Sequence, residues 1–288
     1  MSLVVFGAGG QVGRALVERA GAAARGFDHA ACDVCDAQAV ARALSPGDVS
    51  VVVNCAAYTA VDRAEQEPER AFAVNRGGAA TIAKATALRN LPLIHLSTDY
   101  VYAGAGTAAR RETAPIAPLN AYGASKAAGD AAVAAANPKH LLLRVSWVFG
   151  VHGANFVKTM LRLGSEHLEL HIVDDQRGGP TEARDIADAI LTMAAVCSGL
   201  GFGAWGTYHF AGAPGTSWHG FAEAIFARSR GPRPLLVKIG TRRYPTPARR
   251  PLNSTLDCTR IREVFGIDRP DWRSALARVL AQLGEAVP

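Results

Sequence analysis

Tyr122 and Lys126, four residues apart in Asn120-Ala121-Tyr122-Gly123-Ala124-Ser125-Lys126, are the pair in this chain best suited to chemistry. On a helix that spacing puts both side chains on one face. An ammonium favours the phenolate, so Lys126 is expected to lower the tyrosine pKa from its ordinary value near ~10. The phenol then becomes a usable proton donor near neutral pH. Ser97-Thr98-Asp99-Tyr100 closes the apolar run Leu91 to Leu96. It offers the Thr98 hydroxyl to a substrate carbonyl. Tyr122, Lys126 and Thr98 are therefore the catalytic candidates of a hydride-transfer site.

The third motif is Phe6-Gly7-Ala8-Gly9-Gly10-Gln11-Val12-Gly13, directly after the first apolar run and at the start of a helical pattern. Gly7 permits a tight turn, Gly10 lets backbone approach a pyrophosphate, and Gly13 lets the helix sit close to the sheet. The helix N-terminus then turns free N–H groups and a positive dipole end to the phosphates. No acid stands about 20 residues on, where a ribose-reading residue is usual. Asp28 and Asp33 are nearby acids, and Arg14 and Arg25 are available for a 2′-phosphate, so NADPH and NADH both stay open. Asn54-Cys55-Ala56-Ala57-Tyr58-Thr59 ends another run, and small Ala56 and Ala57 leave room for a dinucleotide.

These motifs need a sheet whose carboxyl ends share one edge. Leu3–Phe6, Ser50–Asn54, Leu91–Leu96 and His140–Ser146 read as buried parallel strands. Helical patterns lie between them at 11–24, 36–44, 68–89 and 121–136. The alternation predicts an α/β fold, a doubly wound, Rossmann-like parallel sheet. After Gly150 the rhythm loosens: helices are expected near 153–164, 182–197, 217–229, 258–264 and 271–284, with strands near 169–173, 206–210 and 235–239. Residues 1–150 thus read as a dinucleotide-binding domain. Residues 151–288 read as a smaller α+β lobe for the substrate, with some chain crossing back to the main sheet.

Composition excludes other classes. The chain has 288 residues, 49% of them hydrophobic, ample for a large core. No apolar run approaches the ~18 residues of a membrane span, and the start lacks the features of a signal peptide, so no membrane partner and a cytoplasmic location are expected. Cysteines 32, 35, 55, 197 and 258 suit a reducing compartment. Cys32 and Cys35 have no second pair, and the residue directly after His167 is Leu168, not the glutamate of a zinc-protease helix, so no metal is expected. The net charge of +6 is not concentrated for nucleic acid. Arg242, Arg243, Arg249 and Arg250 cluster in a proline-rich loop that suits a diphosphate-bearing small substrate.

Taken together, the chain resembles the extended short-chain reductases that act on nucleotide sugars, and within them the dTDP-4-dehydrorhamnose reductase family. The resemblance rests on Gly7 to Gly13, Ala56 to Asp62, Ser97 to Tyr102, Pro118 to Lys126, Arg144 to Gly150, Gly179-Pro180-Thr181 and Tyr244 to Ser254. It implies NADPH- or NADH-dependent reduction of a dTDP-4-keto sugar to dTDP-L-rhamnose, for cell-surface polysaccharide such as O-antigen. It implies Tyr122 as proton donor assisted by Lys126 and Thr98. Gly10, Gln11 and Val12 would lie on the phosphates, Asp33 and Val34 at the adenosine end, and Ala56, Ala57 and Thr59 along the rest. Tyr100 and Trp147 would contact the sugar nucleotide. Dehydratases carry Asp-Glu after the threonine; Thr98-Asp99-Tyr100 lacks the glutamate, which favours reduction. Some members dimerise through magnesium held by a first-helix glutamate; Gly13-Arg14-Ala15-Leu16 has none, so Mg2+ is not expected and the chain reads as a monomer or weak homodimer. Two alternatives stay open: reduction of another dTDP-deoxysugar, and a non-catalytic subunit of the kind that regulates methionine adenosyltransferase.

Overall fold

The computed structural model describes residues 1–45 and 47–286. Its centre is a six-stranded sheet in which every pairing is parallel. The strands are β1 (Leu3–Phe6), β2 (Ala24–Phe27), β3 (Val51–Asn54), β4 (Leu93–Thr98), β5 (His140–Val145) and, from much later in the chain, one at Gly206–Phe210. The order runs Gly206–Phe210, β5, β4, β3, β1, β2. The chain leaves β1 toward β2 on one side and returns to β3 on the other. The carboxyl ends of β1 and β3 therefore flank the crevice where this class of sheet binds ligands.

Continuous apolar runs such as Leu3-Val4-Val5-Phe6 arise because both faces of the sheet are covered. Leu3, Val5, Val53, Ile94 and Leu143 face one layer; Val4, Phe6, Val52, Leu93 and Leu142 face the other. Alternation along each strand decides which. Helices α1 (Gln11–Ala20), α2 (Ala37–Ala43), α3 (Val61–Ala64), α4 (Pro68–Phe72), α5 (Ala79–Leu88) and α6 (Ala121–Ala136) connect the strands.

Beyond β5 come β6 (Val148–Phe149), α7 (Phe156–Glu166), β7 (Glu169–Val173), β8 (Arg177–Gly178), β9 (Thr181–Glu182) and α8 (Ala183–Cys197). The sheet strand Gly206–Phe210 is then β10, followed by β11 (Thr216–Ser217), α9 (Trp218–Arg228), β12 (Leu235–Ile239), α10 (Thr259–Phe265) and α11 (Trp272–Gln282). Phe149, Met160, Ile172, Phe221, Ile225 and Trp272 form a separate core there. Residues of α8, β10 and α10 instead pack into the main sheet's layer.

Two sequence expectations are corrected. The helix expected over 11–24 stops at Ala20, because Gly21 takes φ 54, and residues 24–27 are the second strand. The helix expected over 68–89 is interrupted by a π-helical segment at 73–78. The close approach of α6 accompanies it: a Cβ on Gly129 would lie 2.1 Å from the Asn75 carbonyl oxygen.

Candidate active site

The glycine turn separates into parts with different neighbours. Gly7 has φ 77, and a Cβ there would meet the Ala56 nitrogen at 2.4 Å. A Cβ on Gly13 would meet the Gly7 oxygen at 2.2 Å. Both are required by packing against the protein itself. At Gly10 the nearest such neighbour is the Gly7 oxygen at 3.4 Å, an ordinary contact. Gly10 is also the N-cap of α1, with no side-chain cap and no acid in the first turn. The positive end of α1 is thus left for an external anion.

A cavity of about 310 Å³ opens beside it, lined by Gly7, Gly10, Asp33, Val34, Ala56 and Ala57, and also by His29, Cys32, Tyr58 and Arg70. This bowl of backbone N–H and small side chains fits the phosphates and adenosine of a dinucleotide. Asp33 accepts from the Cys35 N–H at 2.9 Å through one carboxylate oxygen. Two expected residues stand differently. Thr59 is exposed and outside the lining. The Gln11 side chain turns to the 153–155 loop, donating to the Ala154 carbonyl at 3.3 Å and accepting from Asn155 at 3.2 Å. Gln11 and Val12 therefore have backbone, not the Gln11 amide, to offer phosphates.

Helix α6 brings Tyr122 and Lys126 to the same edge. Asn120 caps it, accepting from the Gly123 N–H at 2.7 Å, and its Nδ2 donates to the Arg249 carbonyl at 2.8 Å. Gly123 allows Tyr100 to press in, since a Cβ there would lie 2.2 Å from the Tyr100 oxygen. The Tyr100 and Tyr122 rings meet edge to face at 5.8 Å. Thr98 ends β4, accepts from the Tyr100 N–H and donates to Asp99 Oδ1, both at 3.2 Å.

The electrostatics differ from the expectation. Burial raises the Tyr122 phenol above its usual value, a hydrogen bond with Thr98 opposes this, and Asp99 and Asp130 push it higher. Lys126 is turned to the sheet, donating to the Leu96 carbonyl at 2.7 Å. It does not bring the phenol down. Tyr122 is instead an acid that holds its proton at neutral pH until charge develops beside it. Burial lowers Lys126 to about 8, against the opposing pull of Asp130 and Cys55. Burial pushes Asp99 up to about 7, and one of its carboxylate oxygens has no hydrogen-bond partner.

Beneath these groups runs a buried polar layer. His95 contacts Asn54 and Lys126. Asp130 accepts from Arg144, which also donates to the Tyr102 hydroxyl at 2.6 Å, and that hydroxyl meets His209 at 2.8 Å. Asn75, from the π segment, donates to Ser125 Oγ at 2.8 Å and accepts from the Tyr58 N–H at 2.8 Å. It ties the cofactor-side loop to α6. None of His95, Asn75 or Asp130 stood out in the sequence, because each lies in an ordinary apolar or polar run and gains meaning only from its long-range partner.

Over the crevice, Trp147 takes φ 47 and stacks on Trp218 at 3.5 Å, nearly parallel. Trp218 donates to Gln176 at 3.1 Å and helps line a cavity of about 360 Å³ with Asp62, Phe156, Tyr244 and Arg250. Trp147 reaches that cavity through its partner. Arg250 clamps Asp62 in two hydrogen bonds, at 3.0 and 2.7 Å, which fastens the proline-rich loop to α3. Arg249 points outward and is exposed. Among the described residues, no group of three or more His, Cys, Asp or Glu is placed to hold a metal ion, and no helix is long and apolar enough to cross a membrane.

A family model described as RmlD substrate binding domain matches residues 1–285. The dTDP-4-dehydrorhamnose reductase of Burkholderia thailandensis is 43% identical over 297 residues, covering 98% of this chain and 99% of that protein. That of Aggregatibacter actinomycetemcomitans is 40% identical over 288 residues, covering 97% and 98%. The crystal structure of dTDP-4-dehydrorhamnose reductase from Bacillus anthracis in complex with NADP matches with a TM-score of 0.91 at 32% identity, covering 98% of this chain and 100% of that one.

Proposed function

This chain belongs to the RmlD substrate binding domain family, and from that premise we propose which of its residues carry out the reaction. The reaction is NAD(P)H-dependent reduction of the 4-keto group of dTDP-4-dehydro-L-rhamnose to dTDP-L-rhamnose. The observation that supports the assignment of roles is that Thr98 ends β4 and Tyr122 opens α6 at the carboxyl edge of the sheet, with the Tyr122 ring packed on Tyr100, two residues after Thr98.

When bound, a dihydronicotinamide would supply the hydride for C4 of the sugar. Backbone N–H groups at Gln11 and Val12 would hold the diphosphate, with Gly10, whose own N–H is donated to the Gly7 carbonyl at 3.0 Å, leaving it room; Asp33 and Val34 would border the adenosine, and Ala56 and Ala57 leave space for the chain of the dinucleotide. Lys126 would hold the nicotinamide ribose. Tyr122 gives its phenolic proton to the carbonyl oxygen as negative charge develops there. Thr98 has one proton, directed to Asp99 in this structure. Protonation of Asp99, whose carboxyl is pushed up to about 7, leaves that hydroxyl free to donate to the substrate oxygen. Tyr100, the Trp147–Trp218 stack and the Arg249–Arg250 loop form the sugar-nucleotide side. The five free cysteines suit a cytoplasmic location. A monomer or weak homodimer without a metal is the state to test by light scattering with and without EDTA.

The decisive experiment offers the purified protein dTDP-4-keto-L-rhamnose with NADH and NADPH separately. Oxidation of either cofactor with matching formation of dTDP-L-rhamnose is expected. No oxidation with any dTDP-4-keto sugar would leave only the regulatory-subunit reading.

A further inference from the structure

His95 is fully buried on β4, directly opposite Asn54 of β3 in the sheet register. The Asn54 amide has no freedom to flip. Its Oδ1 accepts from the Ala56 backbone N–H at 2.9 Å, and a backbone N–H can only donate. Asn54 Nδ2 therefore faces His95 Nδ1, 3.0 Å away, as a donor. His95 Nδ1 must be the acceptor, which puts the ring's proton on Nε2. Burial keeps the ring neutral, with Lys126 and His140 acting in the same sense. The Nε2–H has two neighbours: Lys126 Nζ at 3.3 Å and Asp130 Oδ1 at 3.9 Å. That Asp130 oxygen has no hydrogen-bond partner.

An N–H facing an amine nitrogen is matched when the amine has a lone pair and mismatched when it is an ammonium. We propose that the Ala56–Asn54–His95 chain is a positioning device for Lys126. It presents a fixed donor that is matched by the neutral amine and drives the ammonium off His95, toward the Leu96 carbonyl. The device rests on the role given above to Lys126 in holding the nicotinamide ribose, and it gives that role a direction. The charged lysine is held on the Leu96 carbonyl because its His95 side is occupied by a like dipole. It also joins two sites, since Ala56 lines the dinucleotide cavity and its own N–H locks the amide. The charged or titratable groups that face this cluster are Asp130 from α6, paired to Arg144; His140 from β5; and Cys55 after β3. Asp130 favours the ammonium. Cys55 is pushed up to about 12 by burial and stays a neutral thiol through the neutral range.

Nitrogen NMR of the intact protein, with 15N-histidine, reads the tautomer without any mutation. The His95 ring should show the proton on Nε2; a proton on Nδ1 would overturn the proposal. In His95→Gln the side-chain amide can turn its oxygen to Lys126. The Lys126 ε-methylene, labelled with 13C and assigned by loss in Lys126→Arg, should then titrate at least one pH unit higher than in the parent protein. The alkaline limb of kcat/KM should move by the same amount. An unchanged Lys126 titration would refute the device. Asn54→Leu frees the tautomer and should shift the same titration upward, which keeps the test available if His95→Gln does not fold. The lysine titration is read on protein without substrate. It can therefore fail while turnover of the dTDP-4-keto sugar succeeds, or succeed while turnover fails.

Discussion

The floor and the roof of the cleft are held by opposite means. The floor consists of groups inside the protein: Asn54, His95, Thr98, Asp99, Lys126 and Asp130, all buried. The roof is held at the surface, by a bidentate Arg250–Asp62 pair that is partly exposed and by two stacked tryptophans. Buried polar groups are costly to misplace, so each must meet a fixed partner. Surface ion pairs contribute about 0–1 kcal/mol and break readily. The floor can set protonation and geometry for chemistry, and the roof is the less firmly held of the two.

Removing Tyr122, the acid that stands against this floor, gives the largest effect expected. Tyr122→Phe should lower kcat by about 10²–10⁴-fold, the range of a general acid, with NADPH affinity by titration calorimetry preserved. A near-normal kcat would place the proton donor elsewhere. Next come the glycines. Gly13→Ala should destabilise the fold by roughly 1–3 kcal/mol through overpacking, because its Cβ would meet backbone at 2.2 Å. Gly10→Val should leave the melting temperature close to the parent's and weaken the dinucleotide at least about tenfold, or 1.4 kcal/mol. The reverse pattern would show that the two glycines were assigned the wrong way round.

Lys126 tests the same contrast through pH. Its folded pKa of about 8 lies below the ordinary 10.5. Between those values the unfolded chain binds the proton and the folded one does not, so stability rises with pH across that window. At pH 7 the buried charge costs the fold, on the order of 3 kcal/mol at most by the shift. Lys126→Met should therefore raise the melting temperature at pH 7, with the gain shrinking as pH climbs toward 10.5, while turnover is lost. A lower melting temperature at pH 7 would mean that the Leu96 and Asp130 contacts outweigh burial. The smallest effect is expected at the roof. Arg250→Ala should raise KM several-fold with kcat within about twofold; a fall in kcat with KM unchanged would move Arg250 to the floor.

The parts of this arrangement that could be read in advance were those close in sequence. Tyr122 and Lys126 are four residues apart on one helix, and β1, the glycine turn and α1 follow one another without a break. Local spacing fixes relative position in such segments, so α6 falls at 121–136 as expected. In sequence Gly21 is one more residue of an alanine-rich stretch, and only its φ of 54 marks the end of α1. Gln11, Thr59 and Trp147 show the same limit in the site. Each lies in a recognisable motif, but the Gln11 side chain is drawn to a loop 143 residues away, Thr59 lies outside the cavity, and Trp147 acts through Trp218.

The order of residues alone established a wound parallel sheet, a glycine turn after its first strand and a phenol–amine pair on a helix at 121–136, because periodicity and short spacing are properties of the chain itself. It did not establish the electrical state of that pair. The tertiary structure turned Lys126 inward, raised Tyr122 instead of lowering it, and fixed the His95 tautomer through Asn54 and Ala56. Desolvation and hydrogen-bond direction depend on what surrounds a group in space, and here those surroundings come from β3, β4 and α6, which are brought together only by folding.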